Sequence, residues 1–261
     1  MKLRDWQRKR LEELRNCSFP ASRYAKDVTL IAYTFPSDPD SEAFDWIECA
    51  ILQSWAILGK LPTVLIAHHH FQKLDSFAKL HDGIEIQIEP SLEPGHIETM
   101  SADCDARLYQ RFNTAYCLIV QDDGFPLHDT LGDFIGKYDF VGAPYVRLSW
   151  WRNIVSRIIG LHMANGGFSL RSRRICKAAA ELWNRKYKRI HPSRATVDDI
   201  YYTQTLPLRH PLFRLRFRIA PNTEAIYFAY DAIVTQKTKQ LPFGFHRAST
   251  FEILDKEFNL D

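Results

Sequence analysis

No stretch of this 261-residue chain approaches the roughly 18 consecutive apolar residues that a membrane span requires. The basic opening from Met1 to Arg10 has no apolar run behind its charges, so no secretion signal is expected. Cysteine is sparse. Cys17, Cys49, Cys104, Cys117 and Cys176 form an odd, scattered set with no C-x-x-C pair, which suits reduced, packed thiols in a cytoplasmic protein. Repeats, low-complexity tracts and Gly/Ser linkers are lacking, and one domain is expected over residues 1–261. A glycine-rich basic loop is missing after the first apolar run, where Pro36-Ser37-Asp38-Pro39-Asp40 stands instead. That absence argues against a sugar nucleotidyltransferase.

What is present suffices for a full core, at 46% apolar residues. The net charge of +3 conceals an asymmetry. Residues 21–135 carry 7 basic and 18 acidic side chains, whereas residues 136–261 carry 21 and 10. A basic half opposite an acidic, metal-competent half suits a polyanionic substrate, an anionic membrane surface or nucleic acid, without choosing among them.

Apolar patterning divides the chain into alternating elements. Residues 3–15 have helical periodicity, and 1–20 form a basic N-terminal helix. Val28 to Phe35, Leu61 to Ala67, Ile84 to Ile88 and residues 116–120 read as buried strands. Helices are expected from Ser41 to Gly59 and from Ala102 to Tyr116. This alternation predicts an α/β fold: a mostly parallel, Rossmann-like sheet flanked by helices, with a mixed C-terminal half. In that half, Phe140 to Pro144, Phe168 to Leu170, Leu215 to Ile219 and Ala225 to Tyr230 read as strands. Ser172 to Arg185 and a segment opened by Thr196 read as helices.

Four constellations carry chemistry. Gln121-Asp122-Asp123-Gly124 ends a buried strand in two carboxylates, hard ligands that suit Mg²⁺ or Mn²⁺ shared with phosphates. The same four residues also suit a plain turn. Asn165-Gly166-Gly167-Phe168-Ser169-Leu170-Arg171 offers close approach at two glycines, an amide and a guanidinium fork, or else a bulge. Thr196-Val197-Asp198-Asp199 has the spacing of a helix cap, and a carboxylate at a helix start is also a well-oriented general base. Phe243-Gly244-Phe245-His246 sets a histidine after an aromatic turn, where it could bind metal or phosphate or simply pack. His68-His69-His70 points to alternating faces and reads as a strand end.

The order of these motifs, with Tyr138-Asp139-Phe140-Val141-Gly142-Ala143-Pro144 between the first two, resembles a bacterial family of inferred glycosyltransferases long catalogued as a domain of unknown function. That family is similar to the GT-A class of glycosyltransferases. The resemblance covers about residues 110–250. It implies a GT-A-like domain with a nucleotide-binding half over 28–135 and an acceptor and catalytic half over 136–250. It further implies metal ligands at Asp123, Asp122 and His246, with Asn165, Gly166 and Gly167 near donor and acceptor. Asp199 would be the base, with Asp198 beside it. Gln121 and Arg171 join the donor and acceptor set, and Thr34 and Phe35 fall where a nucleotide base should lie. The implied reaction is metal-dependent sugar transfer, with inversion, from a nucleotide-diphosphate donor to a glycan or lipid-linked acceptor in surface glycan synthesis. The family often has a glutamate near Ala229-Tyr230-Asp231, and no role is assigned there.

Residues 149–161 place Trp150, Trp151, Ile154, Val155, Ile158 and Ile159 on one helical face and Arg152 and Arg157 on the other. That pattern suits peripheral contact with an anionic membrane at its inner face, or a flap on the chain's own core. The Arg214-Arg216-Arg218 alternation supports a rival reading as a non-catalytic binder of nucleic acid or acidic glycan, with nucleic acid the less favoured partner.

Overall fold

In the computed structural model, residues 1–38, 41–144, 164–183, 198–231 and 240–260 are described. The expected membrane-facing segment 149–161 and the cap at Thr196 lie outside them.

Seven-residue β1 (Val28–Thr34) is buried throughout and is centred in the first half of a six-stranded sheet. Its neighbours are β2 (Thr63–Ala67) on one side and β4 (Tyr116–Val120) on the other, both parallel to it. Beyond β2 lies parallel β3 (Ile84–Ile88). Beyond β4 comes β6 (Ala164–Ser172), antiparallel to it, and then edge strand β5 (Phe140–Pro144), antiparallel to β6. The spatial order is therefore 3-2-1-4-6-5, mostly parallel, with one reversed strand in the C-terminal half.

Strands in such a sheet must be apolar on both faces, because helices cover both. The period of two divides each strand between two cores. Leu30, Ala32, Leu65, Leu118 and Val120 face the side covered by α1 (Leu3–Leu14), α2 (Ala43–Leu58) and α3 (Gln72–Leu80). Ile31, Tyr33, Ile66, Cys117 and Ile119 face the side covered by α4 (Ile97–Arg107) and α5 (Arg173–Leu182). Ser172 caps α5, accepting the Ile175 amide on its side chain.

Several boundaries differ from the sequence reading, each for a tertiary reason. The helix expected over 102–116 starts earlier, at Ile97, and gives way after Arg107 to a 3₁₀ turn (Leu108–Gln110). The strand expected at 168–170 is nine residues long because β4 and β5 pair with both its edges. Residues 225–230 are not a strand: Asn222–Phe228 is a helix, α9, following Pro221, and only Ala229–Asp231 (β7) extends. Its buried Ala225 and Phe228 share a helical face at i, i+3. Residues 215–219 are not a strand either. A helical run from Asp198–Ile200 (α6) through a π-turn (Tyr201–Thr205) and Leu206–Arg209 (α7) breaks at His210 and resumes over Pro211–Arg216 (α8). There the apparent alternation buries Phe213 and Phe217 and exposes the residues between them.

A second, two-stranded sheet pairs β7 with β8 (Gly244–His246) in parallel, setting Asp231 opposite His246. α10 (Ala248–Phe258) closes the chain against α1.

Candidate active site

Strand order reverses between β1, which is followed by β2 on one side, and β4, which lies on the other. The two crossover helices leave opposite faces there, and a crevice opens outside the carboxyl ends of the strands. A cavity of about 290 Å³ occupies that place. Tyr33, Thr34 and Phe35 line it from the end of β1, Gln121 and Asp122 from the end of β4, and Ile97 and Met100 from α4.

The wall behind Tyr33 is an ion network that the sequence does not announce. Tyr33 donates to Asp103 Oδ2 at 2.9 Å, and Asp103 Oδ1 meets Arg111 Nη2 at 2.5 Å and Arg107 Nε at 2.9 Å. Glu89 Oε2 holds the same two arginines, at 2.7 and 2.9 Å. Burial works against the Glu89 charge, but Ser91, Arg111 and Arg107 outweigh it and bring its carboxyl down to about 2. A depressed carboxylate contributes stability that is complete above its unfolded pKa and lost as pH falls through the folded one. Wild-type stability should therefore drop between about pH 4.5 and 2. Glu89→Gln should lose roughly 2 kcal/mol at pH 7, allowing for solvent around half-exposed Arg107, and should show a shallower acid decline in urea midpoints.

Gln121-Asp122-Asp123-Gly124 forms a tight turn at the end of β4. Gln121 and Gly124 exchange backbone hydrogen bonds of 2.9 and 3.1 Å, which thrusts the two aspartates out at the tip. They diverge. Asp122 accepts Arg4 Nη2 at 2.6 Å, and its carbonyl accepts Arg4 and the Gln7 amide, so α1 clamps the turn from outside. Asp123 faces inward. Its Oδ1 lies 3.6 Å from His246 Nε2, and its carbonyl accepts the Arg247 amide at 2.8 Å. Burial pushes the Asp123 carboxyl up, and Asp122 adds to this against the pull of His246. Gln121 links the turn to the histidine, its Oε1 3.1 Å from His246 Nε2.

Beneath them runs the 165–167 segment of β6. Asn165 is internally committed: its Oδ1 accepts the Gly167 amide at 2.7 Å and its Nδ2 donates to Asp231 Oδ2 at 3.1 Å. Gly167 has no room for a side chain, because a Cβ there would sit well inside van der Waals contact of His246 Nε2 and Gln121 Oε1. A Cβ at Gly166 would collide on the other side with Arg171 and Asp198.

Arg171 does not reach the cleft as the sequence suggested. Fully buried, it ion-pairs with Asp198, donates to the Gly166 carbonyl at 3.1 Å and lies between the rings of Phe140 and Tyr202. Asp198 is thereby tied into the core, with Ser101 Oγ at 3.3 Å from its other oxygen. Its neighbour Asp199 is buried too, and its carboxylate accepts the Ile200 amide at 2.5 Å.

One site residue that sequence reasoning left unassigned is Asp231. Only 2% exposed, it stands 3.6 Å from His246 Nδ1 and 3.2 Å from Arg247 Nε. Its signal was the strand end facing His246, hidden because the strand is three residues long and paired only with another of that length. Arg247 adopts φ of +80°, a conformation rare for a side-chain-bearing residue, which turns the chain sharply after His246.

Could these residues hold a divalent cation? His246 Nδ1 and Asp231 Oδ1 are buried without a hydrogen-bond partner, and the Asp123–His246 pair faces across 3.6 Å without a hydrogen bond. The donors are a carboxylate, an imidazole and the Gln121 amide oxygen, a set that fits Mn²⁺ or Mg²⁺. Among the described residues no three His, Cys, Asp or Glu side chains form a complete cage. A few protein donors, with phosphate and water completing the shell, are what such ions use beside phosphates.

The fold and cleft together define an α/β protein of the doubly wound kind, with its crevice at the switch point. The chain belongs to the family described as "Protein of unknown function (DUF5672)", whose profile matches residues 95–246, more than half its length. No curated protein matches the sequence. Similar solved structures include a mannosyltransferase from Pyrobaculum calidifontis in complex with GDP-Man and Mn²⁺, at 12% identity and TM-score 0.46 over 83% of this chain and 61% of that one. The apo-form glycosyltransferase GlyE of Streptococcus pneumoniae matches at 10% identity and TM-score 0.47, over 84% and 54% of the two chains. The mannosyltransferase Ktr4p of S. cerevisiae in complex with GDP matches at 10% identity and TM-score 0.43, over 85% and 76%. This chain thus spans between half and two thirds of the length of the first two.

Proposed function

We propose that the protein is a metal-dependent glycosyltransferase of GT-A type, moving a sugar from a nucleotide-diphosphate donor to an acceptor hydroxyl. The observation that carries this reading is the meeting of the Asp123–His246 pair with the switch-point cavity through one residue, Gln121, which belongs to both. In this reading Tyr33, Thr34 and Phe35 take the nucleoside, held rigid by the Asp103 and Arg111 network. Asp123 and His246 would hold the cation, whose charge would favour the donor's diphosphate. Asp122, already occupied by Arg4, fixes the turn. Bound Mn²⁺ or Mg²⁺ would offset charge building on the departing diphosphate, a contribution worth several kcal/mol. Asp231, 3.6 Å from His246 Nδ1, sets a negative charge behind the imidazole without a hydrogen bond to it. Gly166 leaves room for the Arg171–Asp198 pair and Gly167 for His246 and Gln121, and Asn165 fixes that segment of β6. Asp199 takes the acceptor proton, a step worth about 10²–10⁴-fold. With one base and no separate nucleophile among the described residues, single displacement with inversion is the reading we adopt.

A panel of sugar nucleotides incubated with Mn²⁺ or Mg²⁺ should reveal a donor whose diphosphate is released, with release abolished by EDTA. If no donor is cleaved or bound in a metal-dependent way, the assignment fails. Gly167→Ala supplies a check on geometry: it should displace His246, keep the fold and lose the Tm rise given by Mn²⁺ plus nucleotide. A rise equal to wild type would place the binding elsewhere.

A further inference from the structure

The described chain exposes few large apolar side chains, and three of the nine lie within eight residues on α7 and α8. Leu208 is 58% exposed, Leu212 77% and Leu215 83%. Scattered singly they would need no explanation, but at this density they form a ledge. Leu212 and Leu215, three residues apart, share one face of α8, and Leu208 stands on α7 just before the break at His210. Phe213 and Phe217 point the other way and anchor the ledge to the core. An open groove of about 280 Å³ runs beneath it, lined by Leu182, Leu212, Phe213, Phe217 and Arg216, with one acid, Glu181, at its α5 side.

Charge says what could cover the ledge. From Ile200 to Thr223 the sequence contains no aspartate or glutamate, while Arg209, Arg214, Arg216 and Arg218 are all exposed along the same stretch. Exposed leucines interleaved with arginines on a surface helix suit the boundary between acyl chains and anionic headgroups, where apolar side chains enter and guanidinium groups meet phosphate. Nucleic acid would use the arginines but gain little from three projecting leucines, whose place would be taken by stacking rings. No helix among the described residues is long and apolar enough to span a bilayer, so the contact would be peripheral.

We propose that α7 and α8 form a docking surface for an anionic lipid bilayer, with Leu208, Leu212 and Leu215 entering the interface and the flanking arginines pairing with headgroup phosphates. The surface continues the helical run that begins at Asp198 and Asp199. Docking there would bring the proposed base to the membrane that carries a lipid-linked acceptor. Binding itself does not depend on the glycosyl-transfer reading, so either can fail alone.

The test is flotation of the full chain with vesicles of phosphatidylcholine alone or with phosphatidylglycerol. Wild type should partition onto anionic vesicles, and each arginine near the surface should strengthen binding about fivefold, the equivalent of roughly 1 kcal/mol. Leu212→Ser with Leu215→Ser should weaken that partitioning at least about tenfold, from the apolar area no longer buried. Their exposure predicts an unchanged Tm, which controls for folding. Arg214→Gln with Arg216→Gln should cut the preference for anionic over neutral vesicles about 25-fold, fivefold for each arginine removed. Partitioning retained by the leucine variant would overturn the proposal. So would two other results: tight binding of single-stranded oligonucleotide that ignores the leucines while vesicles are not bound, or a leucine-dependent dimer with no vesicle binding.

Discussion

Asp123→Asn is expected to lower metal-dependent turnover by about three orders of magnitude while leaving the fold intact, the rate equivalent of several kcal/mol of lost charge stabilisation. The asymmetry between activity and stability is the informative part. Asp123 is inward-facing, and burial already works against its charge. An amide of the same shape removes that penalty, so Tm in the absence of metal should hold or rise. The backbone bond from the Arg247 amide to the Asp123 carbonyl survives the change, and with it the approach of His246. Asp122→Asn should behave otherwise. That carboxylate is about half exposed and paired with half-exposed Arg4, so its loss should cost less than about 1 kcal/mol of stability and only a modest factor in rate. Steady-state kinetics and thermal melts on the two variants separate the roles. Equal losses at both positions would contradict the division made here.

The second large effect concerns Arg171 and Asp198. Arg171 is fully buried against Phe140 and Tyr202, and its Nη1 has no hydrogen-bond partner. The Asp198 charge and the two ring faces are what hold a guanidinium there. Asp198→Asn should destabilise by about 3–5 kcal/mol, because it strands a buried charge. Arg171→Met should do the same from the other side. The double variant should lose much less than the sum, with a coupling of about 2–3 kcal/mol in urea unfolding. Additive losses would mean that the pair is not a unit. Asp198 would then be free for chemistry and Asp199 would lose its claim to be the base.

The sheet was legible because its signal is local. Strands β1, β2 and β4 are buried on both faces, and continuous apolar runs of that length have few alternatives. The second half resisted because its elements are decided by partners far away in sequence. Residues 225–228 have strand-like composition, yet they coil behind Pro221 to place Phe228 against Phe134 and Phe168. Residues 215–219 alternate in type, but Leu215 and Arg216 end a helix and face water while Phe217 packs on the core. Of the site, the residue types were readable and the commitments were not. Nothing in Gln121-Asp122-Asp123 says that Arg4, 118 residues earlier, claims the first aspartate. Nothing in the Gly-Gly motif says that Arg171 serves the core beneath it. Asp231 stayed unassigned because its meaning is its register with His246.

Calorimetric titration of a nucleoside diphosphate into the protein, with Mn²⁺ present and again after EDTA, bears most directly on the claim that the switch-point cavity and the Asp123–His246 pair form one site. Saturating ligand at about 100 times its Kd would add about 2.7 kcal/mol to stability, so melts can confirm the heats. The account predicts binding that needs both the ion and Asp123, lost in EDTA and in Asp123→Asn alike. Nucleotide binding of undiminished strength in EDTA and in that variant would contradict it.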